Sequence, residues 1–336
     1  MSLIIDIRND DKIPTNHFDV REIFSYLSQN YNYKTISIHN LTEYKDNVDD
    51  FFFNKYNEKL RNIIIFSHLK YLSLNFNVSD DVQLILYGED MHTIKNRNLL
   101  PRFNKIILSS GYCLSKYHNI SSNNIYYFPH SACFDIEFND DPLTKILVSG
   151  RNNKTIYPKR YIAFTLSKEH DNIDYLHVNF YYRMPKETDL STYSCGVNYI
   201  KKLNEYLVCF SCDANKDRPY ILTKNFEILS SGALLLLAID TQNKKYFEQL
   251  GFIDGVHYIS CQTDNIKKMI EYCLDDDNRK IVNEIRKNGY EFVRKNHMYN
   301  NRAELFNKII EENIDLKEYS DGIDGTAYKL AFIENQ

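Results

Sequence analysis

The sequence contains no tryptophan, no excess of positive charge, and no apolar run approaching the ~18 residues that a membrane-spanning helix needs. The missing long run excludes a helical membrane anchor from the reading. The charge balance, 41 Lys and Arg against 45 Asp and Glu for a net charge of −4, gives no general basic footprint. It argues against nucleic acid as the main partner, although a local basic pocket stays open. The opening MSLIIDIRNDD has neither a basic leader nor a long apolar core, so LIIDI reads as a first strand rather than part of a secretory signal. The lack of tryptophan accompanies an abundance of Asn, Ile, Lys and Tyr (27 Tyr), which looks like the bias of an AT-rich genome rather than chemistry.

The seven cysteines are odd in number and scattered, which is not the pattern of a disulfide framework. They suggest reduced thiols and a cytoplasmic location. Cys209 and Cys212 form a lone CxxC inside YLVCFSCDAN. A zinc or redox pair needs a second pair or a helix N-terminus beside it, so these two read as core thiols. A Gly-rich phosphate loop and a G-x-S-x-G elbow are also missing. The acidic run at 275–277 reads as a solvated helix end, and no metal site is expected.

What is present is a composition of 43% hydrophobic and 26% charged residues, that of a soluble globular protein. The 336 residues suffice for two ordinary domains or one large one. Short apolar runs alternate with amphipathic segments. In the first half the runs are LIIDI, KTISIH, NIIIFSH, VQLILYG, KIILSS and NIYYFPH. FNDDPLT (138–144) breaks the pattern and reads as a linker. A second series follows with KILVSG, DYLHV, YLVCFS, ALLLLAI and GVHYIS. Continuous apolar strands between helices predict parallel sheets covered on both faces. The expected architecture is therefore α/β, with two doubly wound halves at 1–140 and 145–310. The tail, 311–336, is ambiguous, with packing back on the first half as one reading.

Doubly wound sheets bind ligands at the carboxyl ends of their strands. After KILVSG comes RNNKTIYPKR. Gly150 allows a tight turn, and Arg151 and Lys154 follow at once. Arg supplies a two-pronged donor and Lys a point charge, a pairing that suits a diphosphate. The plain alternative is a solvated basic loop. Farther on, TKNFEILSSGALLLLAI reads as a helix followed by a buried strand. Lys224 and Glu227 are three apart and share a face, with Gly232 as the residue that ends the helix. Glu227 is placed to accept two ribose hydroxyls, or else to form a surface ion pair with Lys224.

The order G-R-x-x-K … K-x-x-E-x-x-x-x-G-A-L-L-L resembles the nucleotide-sugar half of GT-B glycosyltransferases. Within these it is most similar to the retaining, glycogen-synthase-like group and its spore-maturation CgeB-type relatives. The resemblance also covers YPKR (157–160), GVNYIKKLNEYLVCFS (196–211) and NGYEFVRKNHMYNNRAELF (288–306). It implies two Rossmann-like domains facing each other across a cleft, an acceptor-side domain at 1–140 and a donor-binding domain at 145–310. It further implies that Arg151 and Lys154 meet the donor diphosphate and Glu227 the donor ribose. Many members carry a second Glu eight residues before the ribose one. Here that position is Pro219, a departure from the pattern, with Arg218 beside it as the candidate substitute. In the first domain LYGEDMHT matches a place where the group often has a His beside the reacting sugar. His92 fills it, with Asp90 two residues before. His68, ending NIIIFSH, and His130, in the passage YYFPHSACFD, are the other candidates, and each of these histidines can equally be an ordinary loop residue.

The expected activity is a hexosyltransferase-like transfer of sugar from a nucleotide sugar to the hydroxyl of a glycan or other acceptor. The resemblance implies retention of configuration and no metal. No cofactor is expected beyond the nucleotide sugar as co-substrate, with UDP placed ahead of GDP. The alternatives are a nucleotide-sugar epimerase of the same fold and an inactive nucleotide- or glycan-binding module.

Overall fold

A computed structural model of the chain describes residues 1–6, 18–37, 48–68, 77–89, 97–109, 125–177, 196–213, 221–311, 317–320 and 327–330. It divides into two compact units, one formed by Met1–Pro129 with Asn300–Gln336 and the other by His130–Tyr299.

The first unit is built on the strands β1 (Ser2–Asp6), β2 (Tyr33–Ser37), β3 (Asn62–His68), β4 (Gln83–Glu89), β5 (Lys105–Leu108) and β6 (Ile125–Tyr127). Two further strands from the end of the chain, β12 (Lys317–Ser320) and β13 (Ala327–Leu330), extend the sheet beside β6. Only the β12–β13 pair is antiparallel among the described ladders. Ile63, Ile64, Ile65 and Phe66 are buried without alternation, as a strand covered on both faces requires. Helix α1 (Phe18–Asn30) buries Val20, Ile23, Phe24 and Leu27, the i, i+3, i+4, i+7 face of an amphipathic helix.

Helix α9 (Tyr299–Ile310) also packs in this unit. Its Phe306 ring lies edge-on to Phe24, Tyr87 and Phe128 at 6.3, 5.9 and 5.5 Å. The buried Lys105 ammonium donates to the carbonyls of Ile309 and Ile310 at 3.0 and 3.1 Å, placing a cation on the last turn of α9. The sequence pattern puts α9 with the second half, ending at 310. Its aromatic face belongs instead to the first sheet, so the chain returns at Asn300.

The second unit has a fully parallel sheet of β7 (Leu143–Ser149), β8 (Ile173–Leu176), β9 (Tyr206–Cys212), β10 (Leu234–Ala238) and β11 (Ile259–Cys261). Their order is β11-β10-β9-β7-β8. The intervening helices are α3 (Pro158–Leu166), α4 (Gly196–Asn204), α5 (Thr223–Ser230), α6 (Thr241–Gln249), α7 (Ile266–Leu274) and α8 (Arg279–Asn296). Every residue of β9 and β10 is buried, and Cys209 and Cys212 are core thiols whose pKa values burial raises. After β7 the chain first builds β8 on one side and then crosses to β9 on the other. The crevice where a doubly wound sheet reverses direction therefore falls between the carboxyl ends of β7 and β9.

The segment expected as a linker is a strap that belongs to this unit. The Ala132 amide donates to the His297 carbonyl at 2.9 Å, and the Tyr299 amide donates to the Ala132 carbonyl at 2.8 Å. Arg286, fully buried on α8, donates to the Asn139 and Gly232 carbonyls at 2.6 and 2.9 Å. Its guanidinium also lies 4.4 Å from the Phe138 ring centre. These contacts shift the division from 140–145 back to Pro129. The Asp-Asp-Pro signal is a local turn on the strap.

Candidate functional site

The site grows from the carboxyl end of β7. Gly150 follows the strand with φ +107°, a conformation that a side chain resists, so the chain turns sharply there. The Asn153 side chain accepts from the amides of Thr155 and Ile156 at 2.9 and 3.0 Å, folding RNNKTI into a compact loop. Pro158 then opens α3, a position where its missing N–H costs nothing.

Two cations meet over Gly150. A Cβ placed on this glycine would lie 2.7 Å from Lys224 Nζ and 3.1 Å from Arg160 Nη1. Arg160 comes from the first turn of α3 and is 4% exposed. It stacks over the Tyr157 ring at 4.1 Å and donates through Nη1 to the Arg151 carbonyl at 3.4 Å. Its Nε is buried with no hydrogen-bond partner among the described residues, a vacant donor in a place where vacant donors are costly. Lys224 comes from α5 and donates to the Ser149 carbonyl at 2.5 Å. Burial of the ammonium, and then the Arg160 guanidinium, lower its pKa to about 7, while the Glu227 carboxylate opposes them.

Glu227 sits three residues after Lys224 on the same helix and is half-buried. Its charge reaches Tyr199, whose phenol shares a hydrogen bond with Ser149 Oγ at 2.7 Å. Burial first, and the Glu227 carboxylate second, hold the Tyr199 phenol well above its usual pKa. Tyr175, from β8, donates to the Gly150 carbonyl at 2.5 Å and fastens the turn from the other side. Helix α5 is itself fixed to the sheet where the Ser211 hydroxyl donates to Asn225 Oδ1 at 2.6 Å. It ends at Ser231, with Gly232 in the left-handed region at φ +82°, as the Ser-Ser-Gly signal implies.

Beside Arg160, Lys159 points into a second buried cluster. Its ammonium bridges Asp213 and Asp240 at 2.7 and 2.8 Å. Asp213 also accepts from the Asp240 amide at 3.0 Å and from Asn243 Nδ2 at 2.7 Å. The start of α3 is thereby tied to the carboxyl ends of β9 and β10, which sets where Arg160 lies.

Of the residues expected from sequence, the structure brings Gly150, Lys224 and Glu227 to one end of β7. Arg151 is half-buried on the same turn, and Lys154 is exposed, its ammonium set over the Tyr161 ring at 5.7 Å. His130 is buried at the start of the strap. The backbone of His68 ends β3, in register with Glu89, and its side chain lies outside the described set. Asp90, His92, Arg218 and Pro219 lie outside the described residues. Among the described residues no group of three or more His, Cys, Asp or Glu could hold a metal ion. Asp275, in the acidic run at 275–277, accepts from the Asp277 amide at 3.0 Å. No helix among the described residues is long and apolar enough to cross a membrane.

Sequence reasoning placed Lys159 and Arg160 at the opening of the helix after the cationic turn without giving either a role, and it missed Tyr199, Tyr175 and the Lys159–Asp213–Asp240 cluster. A signal existed for Arg160. It stands three before Ala163 on the inward face of α3, so its placement follows from the helical period.

Residues 188–308 match a family model described as glycosyl transferase-like. That stretch contains Lys224 and Glu227 but begins after Gly150 and Arg160. No curated protein matches the chain. Among solved structures, the chain is similar to a glycosyltransferase from Rickettsia africae ESF-5, with a TM-score of 0.58 and 11% identity over 93% of this chain and 98% of that one. It is also similar to an alpha-glucosyltransferase in complex with UDP, at TM-score 0.57 and 10% identity, covering 92% and 99%. A third is Anabaena Alr3699/HepE in complex with UDP-glucose, at TM-score 0.57 and 9% identity, covering 93% and 100%. At such identities the likeness shows the fold: the two parallel-sheet α/β units are those of the GT-B glycosyltransferases.

Proposed function

We propose that the protein is a nucleotide-sugar-dependent glycosyltransferase that holds its donor at the carboxyl end of β7 and passes the sugar to the hydroxyl of a glycan or similar acceptor. The observation that carries this reading is the convergence of Arg160 and Lys224 over Gly150, with Glu227 one helical turn beyond Lys224. Breaking the bond between sugar and diphosphate leaves negative charge on the diphosphate. Cations fixed in place beforehand stabilise that charge without reorganising. Arg151 and Lys154 add positive charge on the same turn. Glu227 takes the ribose hydroxyls, as the family resemblance implies.

UDP is favoured over GDP because solved proteins of this fold hold UDP or UDP-glucose in their own structures. Retention of configuration, independence from metal, and a role for His92 and Asp90 beside the transferring sugar rest on the resemblance. A cytoplasmic place of work rests on the free thiols, five of them buried among the described residues.

Incubation of the protein with UDP- and GDP-sugars and a panel of glycan acceptors tests the reading. An acceptor-dependent glycoside with release of nucleoside diphosphate is the expected outcome. An altered sugar on the same nucleotide indicates an epimerase, and binding without turnover a binding module. Gly150→Ala probes the same site without changing its charge. The strained φ is expected to cost about 1–2 kcal/mol of stability, measurable by urea denaturation. Because the new methyl displaces Lys224 Nζ and Arg160 Nη1, donor affinity should fall as well in a calorimetric titration. Unchanged affinity in a folded Gly150→Ala protein would place the donor elsewhere.

A further inference from the structure

We propose that filling the site with the donor diphosphate draws a proton onto Lys224, so that donor binding and release are coupled to proton exchange with solvent. The inference rests on the donor reading above.

Its geometric basis is the surroundings of the Lys224 amine. The nitrogen donates to the Ser149 carbonyl on β7, a bond that a neutral amine can also make, more weakly than an ammonium does. From α3 the Arg160 guanidinium comes within 3.1 Å of the same point over Gly150 that Lys224 Nζ approaches to 2.7 Å. From α5 itself the Glu227 carboxylate acts on it. On β9 the groups facing it are the Cys209 and Cys212 thiols, both held protonated by burial. From α4 the Tyr199 phenol faces Glu227 and is likewise held neutral.

In the empty site a protonated Lys224, itself half-buried, thus stands beside the buried Arg160 cation, with one carboxylate against the two. Burial and Arg160 accordingly lower its pKa to about 7. A diphosphate over Gly150 brings two negative charges and reverses the balance, so the ammonium becomes the favoured form. Linkage then requires that donor affinity fall as pH rises above the pKa of the empty site, because the proton must be taken from an ever scarcer supply. Lysine suits this role where arginine does not, since the guanidinium stays charged throughout.

The test is calorimetric titration of the full chain with UDP-glucose and with GDP-mannose, whose diphosphate diesters do not titrate near neutrality. Each titration is run at about pH 8 in HEPES and in Tris, two buffers of different ionisation enthalpy, and repeated at about pH 6. The expected result is a heat that differs between the buffers at the higher pH, by an amount equal to uptake of close to one proton, and agrees between them at the lower. In Lys224→Arg the difference should vanish while binding persists, and affinity should become flat with pH. In Lys224→Met the difference should vanish too. Binding by the parent with equal heats in both buffers at the higher pH overturns the coupling and leaves the donor reading standing. Proton uptake that survives in Lys224→Arg overturns its assignment to Lys224. Binding of neither nucleotide sugar overturns the donor reading and this proposal with it.

Discussion

Arg160→Ala is expected to lower affinity for UDP and for inorganic diphosphate together, by tenfold or more, while leaving affinity for uridine unchanged. A hydrogen bond to a charged group contributes roughly 1.5–3 kcal/mol, and Arg160 brings its Nη1 to the space over Gly150. Arg160→Lys keeps the charge but not the planar fork, so it should recover only part of the loss. Glu227→Ala should fail in the opposite way. It removes the acceptor proposed for the ribose, so uridine and UDP should weaken and inorganic diphosphate should not. Titration of the three ligands into the two variants separates these outcomes. If Arg160→Ala binds all three as the parent does, the cations over Gly150 serve the turn and not a ligand.

Lys159→Met should destabilise the second unit by about 3–5 kcal/mol, the usual result of stripping the partner from a buried charge. Asp213, with a side chain 1% exposed, would keep its contacts with the Asp240 amide and Asn243 but lose its only ion-pair partner among the described residues. Urea denaturation measures the loss. The substitution should also weaken UDP binding in whatever fraction remains folded, because Lys159 fixes the turn that carries Arg160. A Lys159→Met protein as stable as the parent would show that Asp213 finds another neutralising group.

Most strands of the two units were legible in the sequence because they are largely apolar runs, and a strand covered on both faces leaves that mark without any knowledge of its neighbours; β12 and β13, KEYS and AYKL, leave no such mark and lie in the tail that read as ambiguous. The turn at Gly150 and the pair Lys224 and Glu227 were legible for a similar reason. Each is a local pattern, one at a strand end and one at helical spacing. What stayed hidden depends on contacts between segments far apart. Tyr199 meets Ser149 across 50 residues and Lys159 meets Asp213 across 54, and neither spacing marks the sequence. Lys159 and Arg160 are neighbours that look alike, yet one enters the carboxylate cluster and the other the space over Gly150. The boundaries between the units were obscured in the same way. Asp-Asp-Pro signals a turn, but Arg286 binds that strap from 147 residues away. The apolar face of α9 shows that it is buried, whereas only Phe24, Tyr87 and Phe128 show against which sheet.

A donor at the carboxyl end of β7 is open to a direct test by hydrogen–deuterium exchange of the full chain with and without saturating UDP-sugar. A bound donor there should slow exchange in the turn at 149–157, in the first turn of α3 and across α5, where Ser149, Gly150, Arg160, Lys224 and Glu227 lie. The opposite end of the same sheet, around the loops that lead into β7 and β10, should exchange as before. Protection confined to those loops, or to any segment that omits both 149–160 and 223–230, would contradict the account.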